Sequence, residues 1–261
     1  LTAVRMILSG VILLALVLPR EKQRLFGVMK NRTDLLWLLA FAILGLLYCQ
    51  YSFLAAIAHS NSGTATILQS LNVVMMAAVM AVWDRTGIGL RQTAAIVLAI
   101  LGTYLVATHG NPAEMMVSPA GLAWGLSAAV GVVFYTLLSR PIVRKWGNLV
   151  ITGWGMLIGG IVLGIFVGVW EIPENIDLFG AFIIAIIVLI GTAAGFSLFL
   201  QGIRYIGPVK ATLIGCLEPA TATVLSAVFL GTRFGVMEMI GFGAILGTVF
   251  LSMDRPETGK E

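Results

Sequence analysis

The chain has 261 residues, 59% of them hydrophobic and only 11% charged, with a formal net charge of +4. That is too apolar for a soluble globular domain. The apolar residues come in blocks of the length that crosses a bilayer as a helix, not in the short alternating strands of a membrane barrel, and the basic residues are spread over short linkers, which argues against a nucleic-acid surface.

Nine apolar segments follow one another, at 1–18, 35–58, 64–83, 92–108, 120–139, 149–170, 179–202, 209–230 and 235–252. The first carries Arg5, expected near the outer interface, where it either snorkels or contacts a substrate anion. The linker "PREKQRLFGVMKNRTD" holds Arg20, Lys22, Arg24, Lys30 and Arg32, and the next, "HSNSG", holds no basic residue. The alternation continues: Arg85 and Arg91, none in "HGNPAEMMVS", Arg140, Arg144 and Lys145, none in "EIPENID", then Arg204 and Lys210, and Arg255 and Lys260 in the tail. Fourteen of the sixteen Lys and Arg fall on one side, Arg233 being the exception in a linker and Arg5 lying within a span. The positive-inside rule makes that side cytoplasmic, so the tail at 254–261 is inside and residue 1 outside. A start outside, in mid-helix and without methionine, predicts one further leading helix. A signal peptide would need a basic start and a cleavage site, and neither is convincing.

Polar residues within the spans are the candidate functional positions, because an ionisable group at mid-membrane is costly unless it faces protein or water. Glu218, in "LIGCLEPATATVL", lies about ten residues into its segment, near the midplane. Its neighbours one turn away include Gly215, Thr221 and Ala222, small enough to admit a ligand or another helix. Pro219 removes the backbone donor for the Gly215 carbonyl, and such a helix break is tolerated where it lines a cavity. Glu218 then either responds to protons or substrate, or bonds to a neighbouring helix as packing. Asn72 and Gln69, in "TATILQSLN", and Gln50, between Tyr48 and Tyr51, are expected on the same route, with an interhelical hydrogen bond as the alternative. Gly160, Gly164 and Gly168, Gly191 and Gly195, and Gly243 and Gly247 have the GxxxG spacing of close helix packing. Trp154 and Trp170 read as interfacial anchors. Cys49 and Cys216 read as packing residues, and His59 and His109 are too isolated for a metal. Neither a metal site, a cofactor nor a catalytic constellation is expected, so the chain is not read as an enzyme.

An internal repeat organises these segments. "TATILQSLN" at 64–72 matches "KATLIGCLE" at 210–218, pairing Asn72 with Glu218, and "ILGT" at 100–103 recurs at 245–248. The shared offset of about 145 residues marks a duplication. The sequence resembles the EamA-type permeases of the drug/metabolite transporter superfamily, on "LTAVRMILSGVIL" at 1–13, "HSNSGTATILQSLNVV" at 59–74, "GPVKATLIGCLEPATATVLSAVFLG" at 207–231 and the two "ILGT" closures. The resemblance implies an all-α polytopic bundle of two inverted five-helix repeats, nine helices of ten being present. Repeats would lie at 1–110 and 119–253, with the tail at 254–261. It departs at Val73, where the family has proline, and at Thr232, where it has an acid like Asp84. The implied function is secondary transport of a small organic metabolite, amino acids or drugs among them, by alternating access. A channel or a lipid-modifying enzyme is the alternative. The expected setting is the cell membrane, multi-pass, with the lipid bilayer and a small-molecule substrate as partners, no nucleic acid, and a homodimer compatible with the chain.

Overall fold

The computed structural model describes residues 2–85, 87–108, 110–114, 118–168, 178–218, 221, 225 and 235–253. Pro219, Trp170, His109, Thr232, Arg233 and the tail lie outside the described residues. Every regular element among those described is helical. The helices are α1 (Thr2–Lys30), α2 (Arg32–Ala58), α3 (Ser62–Ser70), α4 (Asn72–Trp83), α5 (Leu90–Thr108), α6 (Pro119–Trp146) and α7 (Asn148–Val167). Then come α8, a continuous run of Leu178–Ile186, Ile187–Ala194 and Gly195–Ile206, and α9 (Pro208–Gly215) and α10 (Val236–Met253). Among the described residues six helical stretches are long and apolar enough to cross a membrane, α3 and α4 counting as one, and Leu90–Val106 and Met239–Thr248 are shorter apolar helices. The protein is thus an all-α, polytopic membrane protein.

One expected linker is itself helical. The first helix does not stop at residue 18 but continues to Lys30 across a kink at Glu21 (φ −135°, ψ 42°), two residues after Pro19. Lys, Gln, Arg, Leu and Met favour helix, and Leu25 and Val28, three residues apart, give this extension a buried side.

The chain forms two compact units. One contains the residues up to Tyr51 with Phe134–Tyr205; the other contains Ser52–Val133 with the residues from Ile206 onward. Each unit therefore draws helices from both halves of the sequence. The first is built on α1 and α7. Ala3, Met6, Ser9, Gly10, Leu13 and Val17 make a buried stripe at helical spacing along α1. A Cβ at Gly160 would lie 2.9 Å from the Ile7 nitrogen, one at Gly10 2.6 Å from the Leu157 nitrogen, and one at Gly153 2.8 Å from Leu14. Positions rise along α1 as they fall along α7, so the two helices are antiparallel.

In the second unit α5 and α10 make the same kind of pair. A Cβ at Gly102 would stand 2.8 Å from the Gly241 carbonyl oxygen, and one at Gly241 2.9 Å from that of Gly102. Thr248 Oγ1 donates to the Ala95 carbonyl at 3.4 Å, and Gly110 abuts Met237 at the other end. In each unit a helix of the first half thus meets, antiparallel, its counterpart about 145 residues later. In lipid the hydrophobic effect does not pull helices together, so close van der Waals approach at such glycines carries the association.

In these two helix pairs the close approaches fall at Gly10, Gly153, Gly160, Gly102 and Gly241, and of the expected GxxxG glycines Gly160 is among them. Gly191 and Gly243 meet nothing within 4 Å, and Gly168 ends α7 in the left-handed conformation (φ 64°). Two further features recur in both halves. Phe41–Leu47 of α2 and Ile187–Ala194 of α8 are wound as π-helix, their first residues 146 apart. In the first, Gly45 faces Tyr135, whose Cα would lie 2.9 Å from an added Cβ. In the second, the wide turn presents carbonyls to hydroxyls: Thr192 Oγ1 donates to Ile187 at 3.0 Å, and the buried Ser9 Oγ of α1 donates to Val188 at 3.0 Å.

Candidate functional site

The two polar repeat segments are broken helices, and both belong to the second unit. In the first copy, α3 stops at Ser70. Leu71 (φ −61°, ψ −13°) donates its N–H to Leu68, three residues back, at 3.3 Å, and α4 starts at Asn72. In the second copy, α9 stops at Gly215. Cys216 (φ −65°, ψ −8°) donates to Leu213 at 3.2 Å, and helical geometry resumes at Leu217 and Glu218. The breaks are 145 residues apart and share their backbone geometry. The second precedes a proline and the first does not. Pro219 lacks the N–H that the Gly215 carbonyl would accept, which is where regular helix ends. In the first copy, with Val73, a side chain does the work: Asn72 Nδ2 donates to the Gln69 carbonyl at 2.6 Å. Asn72 and Gln69 are therefore joined directly.

Asn72 Oδ1 is buried and has no hydrogen-bond partner. Glu218 and Thr221 are both exposed, so neither is enclosed by packing. They are joined through the backbone, since Thr221 Oγ1 donates to the Glu218 carbonyl at 2.9 Å and to that of Leu217 at 2.9 Å. Within this unit α4 packs against α9, so the element beginning at Asn72 touches the one ending at Gly215.

Gln50 and Arg5 belong to the other unit. Gln50 is buried, with 8% exposure, and Arg5 is half-buried. That unit also holds a group of residues the sequence reading left in a linker. Asn31 caps α2, its Oδ1 accepting from Thr33 N at 3.0 Å. Asp34 in the first turn accepts a hydrogen bond from Lys145 Nζ, which stands 5.2 Å from the Trp146 ring centroid. The spacing of Asn31 and Asp34 before an apolar run is the available signal, as a cap followed by an acid in the first turn. Trp154, expected as an interfacial anchor, donates Nε1–H to the Leu25 carbonyl at 3.0 Å. Among the described residues, no group of three or more His, Cys, Asp or Glu is placed to hold a metal ion.

Antiparallel counterpart helices and a matched pair of helix breaks define a membrane bundle built from a duplicated unit. The family model for EamA-like transporters matches the chain over residues 1–108 and again over 119–253. Over 253 residues, the chain is 36% identical to an uncharacterized inner membrane transporter, YicL, of Salmonella typhimurium, covering 96% of this chain and 83% of that protein. An uncharacterized transporter of Clostridium kluyveri is 24% identical over 253 residues, covering 94% of this chain and 78% of its own length. The Bacillus subtilis transporter YcbK, also uncharacterized, is 24% identical over 187 residues, 68% of this chain and 59% of that one. A crystal structure of a protein 15% identical superposes with a TM-score of 0.80 over 97% of this chain and 85% of that one, which speaks for the fold alone. The protein belongs to the EamA-like transporter family and is a membrane transporter.

Proposed function

We propose that the protein is a secondary transporter moving a small organic metabolite by alternating access, driven by an ion gradient or by the substrate's own gradient. The observation that carries this reading is the matched pair of breaks at Leu71 and Cys216, each followed within two residues by a polar side chain, Asn72 and Glu218. Discontinuous helices in repeat-related positions are where secondary transporters hold substrate and coupling ions near the midplane. Asn72, Gln69, Glu218 and Thr221 line the route in this reading, and Gln50 and Arg5 are read as substrate contacts. Pro219 maintains the second break, and Glu218 is the proton-responsive group. The protein sits in the cell membrane with its tail in the cytoplasm.

The test is solute flux in proteoliposomes containing the purified protein. Saturable, competable uptake supports a carrier, and ohmic conductance refutes it in favour of a channel. Glu218→Gln keeps size and hydrogen bonding but removes the titration. It is expected to insert normally and lose gradient-driven accumulation while exchange survives. Wild-type pH dependence of uptake in this variant would end the coupling role of Glu218.

A further inference from the structure

The end of α1 carries charge that the fold itself does not use. Gly10 lies against Leu157 and Gly153 against Leu14, so α1 advances as α7 recedes. From Gly153 back to Asn148, the start of α7, is five residues, and α1 draws level with that start at Pro19. Continued straight, the helix would leave the bundle there. Beyond the kink at Glu21 it turns back instead. The Leu25 carbonyl accepts from Trp154 Nε1, in the second turn of α7, at 3.0 Å, and a Cβ at Gly27 would lie 2.5 Å from the Trp146 ring. Residues 22–30 therefore lie across the end of the first unit, level with the first turns of α7. Since α7 is a membrane-crossing helix that starts here, this is the depth of lipid headgroups.

The outer face of this segment mixes cations with apolar side chains. Leu25 and Val28 are buried. Lys22, Phe26 and Met29, at i, i+4 and i+7, share the exposed side, with Lys30 next to Met29. Such a face suits the boundary between headgroups and acyl chains. Among the described residues of this unit the acids are Glu21 and Asp34, and both are paired, with Arg24 and Lys145. Among the described residues Lys22, Lys30, Arg32 and Arg144, all exposed at this end, have no ion pair. Their charges are left for an anion from outside the chain.

The kink also opens a hollow of about 520 Å³ lined by Pro19, Glu21, Lys22, Gln23 and Arg24, within the range of sites that hold small ligands. Lys22 offers it an ammonium. Arg24 gives one N–H, through Nη1, to Glu21 Oε2 at 3.1 Å and keeps its other donors.

We propose that this face binds an anionic phospholipid, with the headgroup phosphate in the hollow between Lys22 and Arg24 and the acyl chains against Phe26 and Met29. The phosphodiester supplies the acceptors and negative charge that these cations lack. A zwitterionic choline headgroup brings a cation of its own. Free phosphate meets the cations but leaves Phe26 and Met29 uncovered. The inference does not depend on what the protein carries across the membrane.

The experiment is a lipid titration of the purified protein in detergent, read as melting temperature. Dioleoylphosphatidylglycerol is expected to stabilise saturably, and dioleoylphosphatidylcholine and soluble glycerol phosphate are not. Lys22→Gln is expected to leave the lipid-free melt unchanged, because Lys22 is exposed and unpaired. It is expected to weaken the half-maximal lipid concentration about fivefold, the effect of one cation at an anionic surface. Phe26→Gln is expected to weaken it as well. Arg204→Gln, which removes an exposed cation of the same unit from outside this segment, is expected to match wild type. Equal stabilisation by the choline lipid overturns the proposal. Stabilisation by glycerol phosphate at the same concentrations means a free-phosphate site and overturns the lipid. Equal losses in Lys22→Gln and Arg204→Gln mean diffuse attraction and overturn the site.

Discussion

Replacing Gly10 by alanine tests whether helix-to-helix contact at glycine holds the first unit together. The added Cβ would lie 2.6 Å from the Leu157 nitrogen, 2.9 Å from the Gly153 carbonyl oxygen and 2.9 Å from the Leu157 Cα. All three are backbone atoms of α7, so no side chain can swing aside. Carbon prefers to stand about 3.5–4.0 Å from such neighbours, and α1 and α7 must separate locally by close to an ångström. Alanine gains about 1 kcal/mol over glycine in helix propensity, but overpacking a well-packed interface costs about 1–3 kcal/mol. Separation also loosens the contacts at Ile7 and Leu14 on either side, so steric strain wins. The control is Gly243→Ala, where nothing lies within 4 Å of the new Cβ. There the propensity term acts alone. In detergent, followed by intrinsic fluorescence during heating, Gly10→Ala is expected to melt below wild type and Gly243→Ala at or above it. At about 2–4 °C per kcal/mol, the two should differ by several degrees. A Gly10→Ala protein melting at or above wild type would refute the reasoning.

Other substitutions test other contacts. Lys145→Met is expected to destabilise more than Asp34→Asn in the same assay, because the Asp34 side chain is 11% exposed and that of Lys145 51%, so the carboxylate is the member left buried and unpaired; the reverse order would mean that the ammonium is the strained partner. Ser9→Ala removes the hydroxyl bound to Val188 and is expected to cost about 1 kcal/mol of stability, read as a small drop in melting temperature; an unchanged melt would mean that the bond to the π-wound segment contributes nothing net. A reporter that fluoresces only in the cytoplasm, fused after residue 261, is expected to be bright in cells, and a signal confined to the far side would reverse the orientation drawn from Lys and Arg.

Some helix ends were legible because the apolar runs stop there, as at Trp83, Thr108 and Ala58, but the ends at Lys30 and Trp146 were not, since charged helix-forming residues carry those helices past their apolar runs. The break before Pro219 was legible for a covalent reason, the missing N–H. Its counterpart at Leu71 was not, since Val73 carries no such mark and the break depends on where one Asn72 side chain points. The π-wound segments were also silent. In a helix apolar on every side there is no polar stripe whose drift would betray an extra residue per turn. Glycine spacing gave candidates without saying which would be used. Gly243 and Gly102 look alike in sequence, and whether a neighbour's backbone comes near is decided by the partner helix.

The pairing of α1 with α7 has a consequence for synthesis. Gly10 waits for Leu157, so α1 enters the membrane long before the surface that fits it exists. At about 5–20 residues per second, roughly 150 residues of chain take from several seconds to half a minute to emerge. During that interval the notch of α1 is open to lipid or to any other small-faced helix nearby. The first copy is therefore an unfinished object when it leaves the ribosome, and the second copy serves it as an intramolecular template.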